Sequence, residues 1–447
     1  MQNDLTTGSV FRNVVSFSLP YLLSYFLQTL YGMADLFIIG QFEGVASTTA
    51  VSIGSQVMHM LTVMLVGLAM GATVSIAQAT GGGDKKRTAS AIGNTVTLFM
   101  LLSLALTALL LALRGGIVSI MSTPEEAVQG TLAYLTVCFI GIPFITAYNI
   151  IASIFRGLGD SKSPMYFIAA ACVVNIGLDF FFMGALRLGP AGAALGTTLS
   201  QAVSVLLALC VILKRRSIRL SKSDFCPRKA TMKDILSIGL PVAAQDGFIQ
   251  VSFMLITIMA NQRGLTDAAA VGIVEKIISF LFLVPSSMLS TVSALGAQNI
   301  GAGKYDRVDK ILRYAIAIGV GFGAVMALLM QFIAPSMVRP FTSDEAVVKA
   351  GAAYIRSYIF DCLFAGIQFS FSGYFCAWGR SGLSFLHNTL SILLVRVPGA
   401  WLACRFFPQT LVPMGLAPAC GSLFSSIVCV LLYRWMKRQN KPTGDKD

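Results

Sequence analysis

Charge is scarce in this chain of 447 residues: Asp, Glu, Lys and Arg make up only 12%, about half the share of an ordinary soluble domain. Histidine occurs twice. The nine cysteines form no Cys-x-x-Cys pair and no zinc-type spacing. Eight of them (Cys138, Cys172, Cys210, Cys362, Cys376, Cys404, Cys420 and Cys429) fall inside apolar runs, where cysteine acts as a small hydrophobe. Only Cys226 stands in a polar stretch, so no disulfide is expected. Enzyme signatures are also missing: there is no His-Glu-x-x-His, no Gly-x-Ser-x-Gly and no Walker-type glycine loop. The triplet Gly81-Gly82-Gly83 follows a helical run instead of a strand, which argues against a phosphate cradle. These absences exclude a disulfide-stapled secreted domain, an ordinary soluble enzyme and a nucleotide-driven pump.

Apolar residues are what the chain has in excess: 55% are hydrophobic and the mean hydropathy is +0.76. A membrane-spanning helix uses about 20 such residues, so the supply matches about twelve helices. Apolar runs bounded by charge or by Gly/Pro turns predict spans near 14–39, 47–78, 88–112, 128–155, 163–186 and 190–213. A second set follows near 235–260, 267–297, 309–334, 347–377, 383–406 and 412–434. The first run continues through Pro20, Gln28 and Asp35 to Ile39, unlike a short cleavable leader, and is expected to remain as the first span. The expected fold class is an all-α integral membrane protein of twelve transmembrane helices. The expected domains are an N-terminal six-helix lobe at 1–213, a basic linker at 214–234 and a C-terminal six-helix lobe at 235–447.

The net charge of +13 is spread over the loops. If the N-terminus is cytoplasmic, 24 basic residues fall on that side and 6 on the other, a bias that places both termini in the cytoplasm. The cytoplasmic set includes eight from Lys214 to Lys233 and five from Arg434 to Lys446. A nucleic-acid partner is excluded, because no single face gathers the charge.

An internal repeat runs through the chain. Ser16-Phe-Ser-Leu-Pro20 recurs as Ser237-Ile-Gly-Leu-Pro241, an offset of 221. Gln78-Ala-Thr-Gly-Gly-Gly83 with Arg87 recurs as Gln298-Asn-Ile-Gly-Ala-Gly303 with Arg307, and Gly159-Asp-Ser161 as Gly379-Arg-Ser381, each at 220. Pro190-Ala-Gly192 recurs as Pro413-Met-Gly415 at 223. Six spans per repeat is an even number, so both halves start on the same side, and a pseudo-two-fold axis along the membrane normal is expected.

Seven charged residues lie within the predicted spans: Asp35, Asp179, Asp246, Glu275, Lys276, Asp361 and Arg396. At roughly 3 kcal/mol each near a helix centre, they would together cost ~20 kcal/mol against lipid, so they face a cavity or one another. Asp35 lies 15 residues beyond Pro20, about 22 Å along the first helix, and Asp179 lies 16 beyond Ser163, about 24 Å along the fifth. Their depths match, so they can meet. Asn175, four residues before Asp179, shares its helix face. Two carboxylates in one dehydrated pocket repel each other and lose hydration, which suits the pair to taking up and releasing a proton; the bland alternative is a structural hydrogen bond. In the second half, Asp246 and Asp361 each fall 12 residues into a span, and Arg396 falls at a similar depth. An Asp-Arg-Asp cluster is expected there, either structural or open to a cationic substrate. Adjacent Glu275 and Lys276, near a helix end, read as a simple charge pair. Pro20 and Pro241 each remove one backbone hydrogen bond and favour a kink. Gly192-x-x-x-Gly196 reads as close helix packing.

Two six-helix halves, each opening on Leu-Pro (Leu19-Pro20 and Leu240-Pro241), together with the tract Gln298-Asn-Ile-Gly-Ala-Gly-Lys-Tyr-Asp-Arg307, resemble the multidrug and toxic compound extrusion (MATE) transporters. The resemblance covers nearly the whole chain. It implies a V-shaped pair of bundles that rock between outward and inward openings, exchanging a proton or sodium ion for a small organic, often cationic, substrate. It implies no cofactor, a lipid bilayer as surroundings, a monomer, and a bacterial cell membrane as location. The family's ion-coupling residues correspond to Asp35, Asn175, Asp179 and Thr197; the kink at Pro20 is the expected hinge, since a bend there would move Asp35 relative to its partners. Some members carry a glutamate in the seventh helix; here Gln245-Asp-Gly-Phe-Ile-Gln250 has Asp246 and no glutamate, so the expectation is proton coupling through the first half. A lipid-linked saccharide flippase is the alternative, but it calls for a basic cavity, whereas five of the seven buried charges are acidic.

Overall fold

A computed structural model describes residues 4–215 and 220–439. Arg216 and Arg219 of the basic linker, and Lys441 and Lys446 of the C-terminal basic set, lie outside the described residues. Among the described residues, eleven helical stretches are long and apolar enough to cross a membrane. A twelfth forms when Glu125–Ile140 and Ile142–Gly157, bent by 49°, are counted as one span. All twelve predicted spans are matched. Several helices run well past the predicted ends, because polar residues at a helix terminus extend the coil without adding to the apolar run.

By packing, the chain divides into two compact units, one of residues 1–243 with 297–304, the other of residues 244–296 with 305–447. The first holds α1 (Val10–Phe42), α2 (Val45–Gly81), α3 (Lys85–Ile120), α4 (Glu125–Ile140), α5 (Ile142–Gly157), α6 (Lys162–Asp179) and α7 (Gly189–Arg215). The start of α8 (Lys229–Asn261) belongs to it too. The second unit holds the rest of α8, α9 (Leu265–Leu281) and most of α10 (Leu283–Gly301). After these come α11 (Tyr305–Val338), α12 (Glu345–Tyr358), α13 (Phe360–Ala377), α14 (Ser381–Ser391), α15 (Val397–Phe406) and α16 (Val412–Gln439).

Helix ends follow local chemistry. Asp84 caps α3 by accepting from the Arg87 amide at 2.9 Å, and Asp344 caps α12 by accepting from the Ala346 amide at 2.8 Å. Gly83 and Gly303 turn the chain in the left-handed region with φ of 71° and 70°, and Gly159 and Gly379 do so with φ of 87° and 70°. These are the repeat-related pairs, so the internal repeat is structural as well as textual. Both repeats also contain a π-turn in the corresponding span, Phe180–Ala185 after α6 and Ile392–Arg396 after α14. Such turns displace side chains from the regular α-helical face.

The two copies of the Gln-x-x-Gly tract pack against each other within the first unit. A Cβ at Gly81 would run into the Gln298 carbonyl, and one at Gly301 would run into the Gln78 carbonyl. The contact is reciprocal under the 220-residue offset, which is why both positions lack a side chain. Gln298 Nε2 donates to the Gly157 carbonyl at 3.0 Å. Asn299 Nδ2 donates to the Leu5 carbonyl at 3.3 Å, and Lys304 Nζ donates to the Thr6 carbonyl at 2.8 Å. The tract that marks the second repeat therefore anchors the N-terminal segment. The linker is tied down as well: Asn94 on α3 donates to the Asp224 carbonyl at 3.2 Å and accepts from the Arg228 amide at 2.7 Å.

Candidate functional site

The first unit brings together the four residues that the sequence placed at one site. Asp35, on α1, is buried; Asn175 and Asp179, on α6, are fully buried. Thr197 Oγ1, on α7, donates to Asp35 Oδ2 at 3.0 Å. The Asp179 carboxyl and the Asn175 amide stand beside the Asp35 carboxyl as interacting neighbours, and neither makes a hydrogen bond of its own. The arrangement follows from helix periodicity: Asn175 and Asp179 stack one turn apart on α6, and α1, α6 and α7 pack together along this stretch.

Asp35 Oδ1 and both oxygens of Asp179 find no N–H or O–H donor. Two ionised carboxylates are acceptors only and cannot bond to each other; one proton between them turns the contact into a hydrogen bond. No lysine or arginine stands among the groups that these carboxyls engage. At about 4 Å and an effective dielectric of ~20, two bare charges repel by roughly 4 kcal/mol, which a shared proton removes.

Three further residues complete the pocket: Gly196, which the sequence pointed to only as helix packing, and Tyr31 and Gln201, which it did not point to. Gly196, on α7, faces Asp179 so closely that a Cβ there would overlap Oδ1. The Gly192/Gly196 spacing therefore serves two purposes: Gly192 lets α7 approach Phe182, and Gly196 makes room for a carboxyl group. Gln201 Nε2 donates to the Tyr31 hydroxyl at 3.4 Å. Tyr31 lies within electrostatic reach of Asp35. The signal for these two was present: Tyr31 is four residues before Asp35 and Gln201 four after Thr197, each on the face of its partner. Pro20 is buried inside α1, which continues through it, and the Pro20 carbonyl accepts from Ser24 Oγ at 2.8 Å.

The second unit assembles a different cluster from the one expected. Arg396, at the end of its π-turn, donates to the Tyr358 hydroxyl at 3.0 Å and lies over the Phe253 ring at 4.6 Å. Its charged neighbours are Asp361 and Glu275. Glu275 accepts from Thr257 Oγ1 at 3.0 Å, while Lys276 is exposed and takes no part. Asp246 stands apart from Arg396, nearer Cys376. The α8 residues that reach the cluster are Phe253 and Thr257. Thr257 is eleven residues, or ~16 Å, beyond Asp246. Glu275, not Asp246, is the second carboxylate. Buried His387 is held between Ser372 at 2.9 Å and Ser425 at 2.7 Å, joining α13, α14 and α16.

Comparison with known proteins adds a family. The MatE family model matches twice, over residues 20–181 and 241–402. A Bacillus subtilis protein described as probable multidrug resistance protein YpnP is 30% identical over 435 residues, 97% of this chain and 96% of that one. A Thermotoga maritima protein described as probable multidrug resistance protein NorM is 25% identical over 435 residues, covering 96% and 93%. Among solved structures, an outward-facing multidrug resistance MATE family transporter of the MOP superfamily superimposes with a TM-score of 0.92 at 22% identity, covering 98% of each chain.

Proposed function

The chain belongs to the MatE family of multidrug efflux transporters, and from that premise we propose that it is a secondary antiporter that exports small, cationic, amphipathic organic compounds in exchange for protons. The observation that carries this reading is the Asp35–Asp179 pair. Two buried carboxyls stand in one pocket with no cationic side chain among the groups they engage, and a shared proton would relieve their repulsion.

In the proposed cycle a proton enters the pocket and bridges Asp35 and Asp179. The pocket loses its negative charge, and α1 and α6 are held together through the bridge, with Asn175 and Thr197 fixing the carboxyl orientations. Pro20 lets α1 bend, because the amide that would bond to the Ser16 carbonyl is missing. Loss of the proton restores two like charges, which separate and leave a site attractive to an organic cation. Proton and substrate therefore compete for one negative pocket, and each shifts the conformational population that the other prefers. The basic-residue bias supports a cytoplasmic side for both termini in this scheme.

The test is efflux of a fluorescent organic cation from proteoliposomes under separately imposed pH and sodium gradients. Proton antiport predicts export driven by the pH gradient alone and abolished in Asp35→Asn. Export driven only by sodium overturns proton coupling.

A further inference from the structure

A shallow groove of about 330 Å³ opens in the second unit between the start of α14 and the end of α16, lined by Arg380, Gly382, Leu383, Trp435 and Gln439. Its polar groups are donors. Arg380 Nη1 donates to Gln439 Oε1 at 3.3 Å, which leaves the Gln439 amide nitrogen as a further donor, and the Arg380 guanidinium lies 5.7 Å from the Trp435 ring. No carboxylate lines the groove. Nearby Lys437 is neutralised by Asp309, but Arg434 and Arg438, exposed on the same last turns of α16, have no acidic partner among the described residues. A site that offers a guanidinium, an indole N–H and a carboxamide, with no acceptor of matching charge, selects an anion.

The apolar surroundings say which anion. Leu386, 43% exposed, lies one turn beyond Leu383 on α14, and Leu431, 58% exposed, lies one turn before Trp435 on α16. Ile427, another turn along, is 53% exposed. Exposed apolar side chains thus lead away from the cationic groove along two adjacent membrane-spanning helices. Tryptophan at the end of a span and arginines just beyond it are the chemistry of the headgroup layer, where one basic side chain contributes ~1 kcal/mol of attraction to anionic lipid.

We propose that this groove is a binding site for an anionic glycerophospholipid, with Arg380 holding the phosphate, Trp435 and Gln439 completing its hydrogen bonds, and an acyl chain lying along Leu386 and Leu431. Gly382 borders the site with open space where a side chain would be, which leaves the headgroup its entrance. The site is independent of the Asp35–Asp179 pocket.

Native mass spectrometry of the full-length protein, titrated with phosphatidylglycerol or phosphatidylcholine of identical chains, tests it. The wild type is expected to retain phosphatidylglycerol preferentially, and Arg380→Gln to lose about five-fold of that preference, the equivalent of one basic side chain at an anionic surface. Gly382→Glu, at an exposed position with no neighbour to displace, is expected to lose at least as much and covers the case in which Arg380→Gln folds poorly. A control arm with glycerol phosphate asks whether the headgroup alone competes; full displacement at equal concentration would make the site a soluble-phosphate site and overturn the lipid assignment. Equal retention of both lipids by the wild type, or an unchanged preference in Gly382→Glu, also overturns it.

Discussion

Gly196 stands against the carboxyl of Asp179 so closely that a methyl group at position 196 would occupy the space of Oδ1. A residue chosen for its missing side chain thus sets the position of an ionisable group, and through it the contact with Asp35. Gly196→Ala must push Asp179 away from Asp35 or force α7 outward, at the cost of about 1–3 kcal/mol typical of overpacking. Gradient-driven efflux is expected to fall at least ten-fold while the purified protein keeps its helical circular dichroism. Wild-type efflux by this variant would mean that the carboxyl contact is dispensable.

Thr197 supplies one hydrogen bond to Asp35. Removing it in Thr197→Ala is expected to cost about 1 kcal/mol, the net worth of such a bond, and so a roughly five-fold loss of transport. Thr197→Ser, which keeps the hydroxyl, is expected to recover most of it. Equal losses in both variants would assign the effect to the methyl group and not to the bond.

Pro20 lies within an unbroken α1. Pro20→Ala restores a backbone donor, and proline in a helix interior costs ~3 kcal/mol, so thermal stability is expected to rise while turnover drops. Differential scanning fluorimetry beside efflux measures both. A variant with higher stability and unaltered turnover would remove Pro20 from the hinge role.

In the second unit, Arg396 compensates Asp361 and Glu275 in a buried setting. Arg396→Leu leaves two carboxyls without their cation and is expected to destabilise by about 3–5 kcal/mol. The combined variant Arg396→Leu with Asp361→Asn and Glu275→Gln is expected to regain a large part of that loss in a chemical denaturation series. Additive losses across the three substitutions would show that the groups do not act as one cluster.

Much of this was legible in the sequence, and for physical reasons. Apolar runs of membrane length admit few structures, so all twelve spans could be read. The depth of Asp179 could be reckoned because Ser163 is the second residue of α6, whereas Pro20, from which Asp35 was counted, lies ten residues inside α1. The same reckoning failed for Asp246, because the cluster meets α8 two to three turns further along, at Phe253 and Thr257, uncharged residues that a search for buried charge passes over. Glu275 was set aside with its neighbour Lys276, since adjacency in sequence hides the fact that i and i+1 point about 100° apart on a helix. Gly196 was read as helix packing because a glycine's spacing does not reveal which partner fills the space. The displacement produced by the π-turns at Phe180–Ala185 and Ile392–Arg396 has no sequence signature in either stretch.

The most direct measurement is proton release on substrate binding. Purified protein in weakly buffered detergent solution, mixed with a saturating organic cation, is expected to release about one proton per molecule as the cation displaces the proton shared by Asp35 and Asp179. Asp35→Asn is expected to release none while remaining folded. Undiminished release by Asp35→Asn, or binding without release by the wild type, would contradict proton exchange at this pair.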